Sequence, residues 1–539
     1  MQIQRVLYFL ICLLVFSAFF NCAKRGMPTG GDLDTIPPVF LKSTPENFTT
    51  SFKGEEIRIY FDEYIKLEDA QRQIIISPPI DPRPVISPQG NPKKYVTIKL
   101  GDSLKENTTY TINFGNSIID NNEENALPFF KYVFSTGSYI DSLQVSGKIK
   151  DAFEAETDEF ISVLLYEIDQ EYSDSLVYQS PPTYIGYTQD STHTFQIENM
   201  KAGKYKVIAL KDKNSNYLFN PSEDKIDFLQ DTLSLPTDKS LEFSIFMEQK
   251  DFRVSKTKQM GANRVVYGYE GELNDSIQLE ILDPNPAQFS TRLVKDFDKD
   301  SLHFWFQPAI EKDSLVATLT QNNYQDTLVT RMKELYKDSL EIKKLNTSNL
   351  GLKEDFGIYV NIPLKEVDSS KISILNKDSV AVKSTPRLLA LENKLMLDFE
   401  KEEEQIYSIQ MLPNAFTDFY DTPNDTLNFK VRTPAIADLG TLTLNVSNVK
   451  TYPIIVELVD TKGEVIEKKI HEAEEGSSFY FEFIKPGKYR VRLIYDKNNN
   501  GKWDSGNYLK QTKPETLIYF PKMVEMRANW DINESFILN

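Results

Sequence analysis

The sharpest chemistry in this chain sits in one short stretch, DKNNNGKWDSGN (496–507). Asp496, Asn498, Asn500 and Asp504 occupy the first, third, fifth and ninth places of a calcium-type loop, and Gly501 the sixth. Oxygen donors at alternate positions converge on one hard cation because the chain wraps around it, and glycine permits the sharp turn. The twelfth place holds Asn507 instead of a bidentate glutamate, so calcium would bind weakly, in the range of about 10⁻⁴–10⁻³ M found in extracellular modules. A second stretch, DKNSNYLFNPSED (212–224), repeats the pattern with Asp212, Asn214, Asn216 and Asn220. It has Tyr217 at the glycine place but Glu223 at the twelfth, so each loop lacks a different piece. The competing reading is a polar turn in which Asp and Asn side chains cap their own backbone. The sequence leaves both readings open, and under either the role is structural.

Little else suggests chemistry. The three histidines, His193, His303 and His471, have no cysteine or second histidine nearby, and His193 in STHTF reads as a solvent-facing strand residue. No nucleophile elbow, zinc-protease motif, Cys-x-x-Cys pair or phosphate-binding glycine loop is present. A glycosidase-type carboxylate pair is defined only in space, and the Tyr and Phe residues read better as core than as a sugar platform. The expectation is a protein without catalytic residues. Tripeptides of Asp-Ser/Thr-aliphatic recur, at Asp34, Asp102, Asp141, Asp174, Asp231, Asp313 and Asp425. They read either as glycan acceptors or as turns capped ahead of a strand.

The elements that must position these loops start with export. Arg5 precedes an apolar run from Val6 to Phe20, too short to span a bilayer comfortably, which takes about 20 apolar residues. The run ends at Asn21-Cys22 and turns abruptly polar. This reads as a lipoprotein signal peptide (1–21) with lipidation at Cys22, followed by a Gly- and Pro-rich tether (22–38). Cys12 leaves with the signal, so no disulfide remains and the exported chain must stabilise itself by burial alone. The net charge of −18, from 79 acidic and 61 basic residues, argues against nucleic acid and against adsorption on anionic lipid.

From Val39 onward, short alternating runs such as EIRIYF (56–61), YVTIKL (95–100) and YTINF (110–114) are separated by turn residues. Period two at this length predicts an all-β chain of tandem sandwiches. Only 330–344 could form an amphipathic helix, and its β-compatible flanks leave an extended path equally open. Two internal matches organise the rest. Residues 106–137 match 403–433, with Tyr110 and Thr136 spaced as Tyr407 and Thr433. Residues 195–216 match 479–500, with Phe195, Gly203, Tyr205 and Asp212 spaced as Phe479, Gly487, Tyr489 and Asp496. The resulting expectation is five modules: 39–137, 138–250, a β-rich middle at 251–345, 346–433 and 434–539.

The first of these, with PPVFLKSTPEN, IRIYFDEYI and YVFSTG, resembles the bacterial Ig-like domains first named from S-layer proteins. The 346–433 module is a degenerate copy without the PPV opening. The modules with F-x-I, GKY and D-x-N-x-N (138–250 and 434–539) resemble transthyretin-like or carboxypeptidase-regulatory-like sandwiches. The whole arrangement is similar to Ig-like domain lipoproteins of Bacteroidota. That resemblance implies an outer-membrane lipid anchor, at the cell surface or the periplasmic face, and a scaffold working within an outer-membrane protein complex. A glycan-binding or adhesin module is the alternative, and calcium is the one cofactor the loops suggest.

Overall fold

A computed structural model describes residues 34–101, 104–188, 192–473 and 478–538. The lipidation expectation at Cys22, the signal peptide and the first part of the tether lie outside the described residues. Strands dominate, and among the described residues the one α-helix is the single turn Ala70–Gln73. The chain is all-β, a tandem array of β-sandwiches. It divides into two compact units: residues up to Gln144 with Thr183–Ile185 and Ile197–Ala202, and the remainder.

In the first unit the strands Phe40–Thr44, Glu56–Leu67, Lys93–Lys99 and Val85–Ser87 lie side by side in that order, and Ile75–Ser77, Thr109–Asn113 and Lys131–Ser135 form a second sheet. Alternation in EIRIYF sends Ile57, Ile59 and Phe61 inward, where they join Val96, Ile98, Tyr110, Ile112, Tyr132 and Phe134 in one core. Each such side chain contributes about 1.5–3 kcal/mol by leaving water.

The internal repeat is visible atom by atom. The Tyr110 hydroxyl accepts from the Lys105 backbone N–H at 2.8 Å, and the Tyr407 hydroxyl accepts from that of Glu402 at 2.8 Å. Thr136 Oγ1 accepts from Thr108 N–H at 2.9 Å and donates to the Lys105 carbonyl at 2.7 Å. Thr433 Oγ1 likewise accepts from Gln405 N–H at 3.0 Å and donates to the Glu402 carbonyl at 2.6 Å. In both copies a buried tyrosine and a threonine close the turn that enters the strand, much as a tyrosine corner does in Ig sandwiches.

The second unit holds further cores, within 265–332, 350–431 and 442–538. Around 145–250 the strands Ser162–Glu167, Gly203–Lys211, Lys225–Phe228 and Leu241–Met247 lie adjacent, and the last pairs in parallel with 147–151. The C-terminal copy repeats this closure, with Gly440–Ser447 parallel to Asp531–Ile537.

Residues 332–341 do not form a helix: they run irregularly between the strands Tyr324–Arg331 and Ile342–Lys344. Met332 is drawn into the 265–332 core, the Tyr336 carbonyl accepts from Ala262 N–H at 2.9 Å, and Ile342–Lys344 pairs with Phe356–Val360. These fixed partners outweigh any helical preference of the segment. Asp338 then forms an ion pair with Arg264 at 2.6 Å, its other oxygen lying so near Gly261 that a Cβ there would meet it at 2.2 Å. The Arg264 guanidinium lies 5.2 Å from the Trp305 ring, which is fully buried against Val294, Ile362 and Phe419. The strand Ser301–Gln307 is thus buried on both faces. Leu302, Phe304 and Phe306 face its own core; on the other face His303 lies beside Asp296 and Trp305 packs against Ile362 and Phe419.

Candidate functional site

The 212–224 loop leaves the strand Gly203–Lys211 and returns into Lys225–Phe228. Asp212 accepts from the N–H groups of Asn214 (2.9 Å) and Tyr217 (2.6 Å). Asn216 accepts from Leu218 N–H at 2.9 Å, and Asn220 from the Ser222 hydroxyl at 2.8 Å. Asn214 donates its amide to Glu223 at 3.2 Å. Tyr217, at the glycine place, adopts φ 60°, a left-handed conformation that disfavours a bulky residue. Asp224, fully buried, accepts from the N–H groups of Lys213 and Asn220. Burial, with Asp224 nearby, pushes the Asp212 carboxyl up.

The 496–507 loop has the same plan. Asp496 accepts from Asn500 N–H (3.0 Å) and Gly501 N–H (2.8 Å), with Gly501 at φ 75°. Asn500 Oδ1 accepts from Lys502 N–H at 3.1 Å, and Asn498 Oδ1 from Asn500 N–H at 3.2 Å. The amides of Asn498 and Asn500 donate to Asp504 at 2.6 and 2.7 Å. Glu515 accepts from Lys497 N–H at 2.6 Å, as Asp224 does from Lys213, and also from Asp504 N–H. Its carboxyl is pushed up by burial and by the neighbouring Asp504 and Asp496.

Sequence spacing thus brings Asp496, Asn498, Asn500 and Asp504 together, and likewise Asp212 and Asn214. It missed Glu515 and Asp224, because the return path to each has a different length in the two copies. The loops are closed largely by their own hydrogen bonds. Among the described residues no group of three or more His, Cys, Asp or Glu side chains is arranged to hold a metal.

Beyond Asp504 the chain enters a clasp that no local pattern announced. Trp503 packs on Phe153 at 4.7 Å and donates its indole N–H to the Glu515 carbonyl at 2.9 Å. Tyr508, 1% exposed, sits edge-on to Phe228 at 5.3 Å, and its N–H donates to Glu248. Burial, with Tyr172 and Asp174 close by, pushes the Tyr508 hydroxyl far above its usual range. Lys513 pairs with the buried Asp227 and reaches the Phe228 carbonyl. Gly506 lies so close that a Cβ would meet Phe246 at 2.6 Å. Arg492 lies 4.5 Å from the Phe153 ring, Arg490 pairs with Glu156 at 2.6 Å, and the Tyr519 hydroxyl donates to the Phe153 carbonyl at 3.0 Å. The two copies of one module therefore grip each other across the intervening sandwiches.

The histidines have structural settings. His193 precedes the strand Thr194–Met200 and is half-buried, with φ 50° and Nε2 3.2 Å from the Thr157 carbonyl, so it is not the solvent-facing strand residue expected. His303 is buried beside Asp296 at 2.8 Å, and burial holds its pKa down. His471 lies edge-on to Tyr452 and Phe479.

Residues 34–136 match the family model described as a bacterial Ig-like domain. No curated protein matches the chain. Among solved structures, surface layer protein SbsC (domains 1–6) is 9% identical over 91% of this chain and 67% of that one, with a TM-score of 0.16. The major pilin subunit of Bacillus cereus is 11% identical over 74% of this chain and 100% of that one, TM-score 0.14. The Bacillus anthracis TIE protein is 10% identical over 95% and 76%, TM-score 0.14.

Proposed function

We propose that this chain is an outer-membrane lipoprotein, anchored through Cys22, that serves as a non-catalytic scaffold and accessory subunit of an outer-membrane protein assembly or secretion machine. The observation that supports it best is the clasp. A chain whose second and last sandwiches interlock through Tyr508 and the Lys513–Asp227 pair holds those two modules in fixed relation, as a scaffold requires and a loose string of binding modules does not. The test is a mild-detergent pull-down of the tagged protein from native membranes, read by mass spectrometry, alongside fractionation of Cys22→Ala. The expected result is a stoichiometric set of outer-membrane proteins, with Cys22→Ala moving to the soluble fraction. Recovery of the protein alone would refute the subunit reading, and retention of Cys22→Ala in membranes would refute the anchor.

In this reading calcium is structural. Asp496, Asn498, Asn500, Asp504 and Glu515 would hold one ion, and Asp212, Asn214, Asn216 and Asn220 a second. Burial first, and then the neighbouring Asp504 and Asp496, push the Glu515 carboxyl up, and a cation would relieve the crowding of these three carboxyls. At the weak affinity expected, 10 mM calcium should stabilise the second unit by about 1.4–2.7 kcal/mol per ion bound. A thermal melt with calcium or chelator reads this, with Asp504→Ala removing the share of the 496 loop. Identical melts in both would leave the loops as self-capped turns.

A further inference from the structure

The outward face of the first unit's larger sheet carries an arrangement that its core does not need. Alternation puts Lys42, Arg58, Tyr60, Tyr95 and Lys99 on that face, opposite the buried Ile57, Ile59, Val96 and Ile98. Register places Lys42, Tyr60 and Tyr95 in one row across three strands. The Tyr60 and Tyr95 rings lie 5.8 Å apart. Lys42 Nζ stands 5.4 Å from the Tyr60 ring, while Lys93 Nζ and the Arg58 guanidinium stand 5.5 and 6.0 Å from Tyr95. Beside the row, Lys94 Nζ lies 5.4 Å from Tyr64, which is 56% exposed.

Five cations, Lys42, Arg58, Lys93, Lys94 and Lys99, are exposed here. Nearby anions are partly engaged within the protein: Glu56 pairs with Arg58, and Asp62 accepts from Val39 N–H. This basic, aromatic strip occurs on a chain of net charge −18. Screening over about 8 Å at physiological salt lets the local patch, not the distant net charge, set what binds.

We propose that this face binds an acidic polysaccharide, a chain of uronic-acid sugars. Tyr60, Tyr95 and Tyr64 offer rings to the apolar faces of pyranoses, and Lys42, Lys93 and Lys99 meet the carboxylates, Arg58 being paired with Glu56 and Lys94 donating to the Asp62 carbonyl. An extended polymer suits a flat sheet with its contacts in a row, and strands spaced about 4.8 Å apart set the interval between them. A uronate chain combines sugar faces with isolated carboxylates. A duplex nucleic acid presents a denser charge, about one per 1.7 Å, with its bases stacked inside, so it offers this row of tyrosine rings no apolar face.

Affinity electrophoresis of the full chain carrying Cys22→Ala tests this, in gels holding polygalacturonate, neutral dextran or neither, with oligo-dT binding measured in parallel. Retardation by polygalacturonate alone is expected. It should weaken roughly tenfold or more in Tyr60→Ala/Tyr95→Ala and in Lys42→Gln/Lys93→Gln. The lysine pair is exposed and outside the core, so its loss of binding cannot be attributed to misfolding. No retardation, retardation unchanged in both variants, or oligo-dT bound as tightly would each overturn the proposal. None of these outcomes bears on the membrane anchor or the scaffold reading.

Discussion

Trp305→Ala should destabilise the second unit by about 3–5 kcal/mol, the loss typical of a buried tryptophan removed from a tight core. The indole is fully buried between the 265–332 core strands and the segments bearing Ile362 and Phe419. It is flanked by the Arg264 guanidinium at 5.2 Å and the Tyr420 ring at 6.2 Å. Removing it deletes contacts and leaves the Arg264–Asp338 pair beside a void. The indole N–H has no hydrogen-bond partner among the described residues. Trp305→Phe should therefore cost much less than alanine, because it discards an unpaired donor along with part of the ring. Urea unfolding followed by fluorescence and circular dichroism, with the exposed Val329→Ala as a near-neutral control, would check both. A cost for Trp305→Ala no larger than that of Val329→Ala would show that the two sandwiches are not joined through this residue.

Lys513→Ala should cost a comparable amount, about 3–5 kcal/mol at neutral pH, because it strands a charge. The Asp227 side chain is only 4% exposed, and burial pushes its carboxyl up against the opposing pull of Lys513. Without the lysine, Asp227 keeps only the Ser244 and Phe228 N–H groups, and its folded pKa rises further above the unfolded value. The folded state then binds the extra proton, so the penalty is full at neutral pH and shrinks as pH falls through the raised pKa. Asp227→Asn/Lys513→Gln removes both charges and should recover most of the loss. A penalty that does not shrink in acid, or a double variant as unstable as the single, would mean that Lys513 matters through packing on Phe228 rather than through its charge.

How much of this was legible in the sequence depended on whether the determinant was local. The sandwiches were, because EIRIYF and its relatives alternate with the pleat. The repeats were too: Tyr110 and Tyr407, or Gly203-Lys204-Tyr205 and Gly487-Lys488-Tyr489, recur because each turn needs the same closure. The first polar residues that close the 496 loop were legible from spacing, but Glu515 was not, because its return path is unique to that copy. The clasp was invisible for a stronger reason. Lys513 and Asp227 are separated by 286 positions, and neither sits in a pattern that points to the other. The path of 332–341 was ambiguous because its partners, Ala262 and Arg264, lie in a distant hairpin.

The clasp also fixes how the molecule would carry a load. A pull between the strand at 147–151 and the C-terminal strand passes through the first strand's sheet, across Tyr508 and Lys513, and out through the last sandwich. Residues 251–433 form a side branch off that route, a bight closed by a shackle. Tension would reach the two central sandwiches only after the shackle gives, so the clasp sets the force at which the chain begins to lengthen.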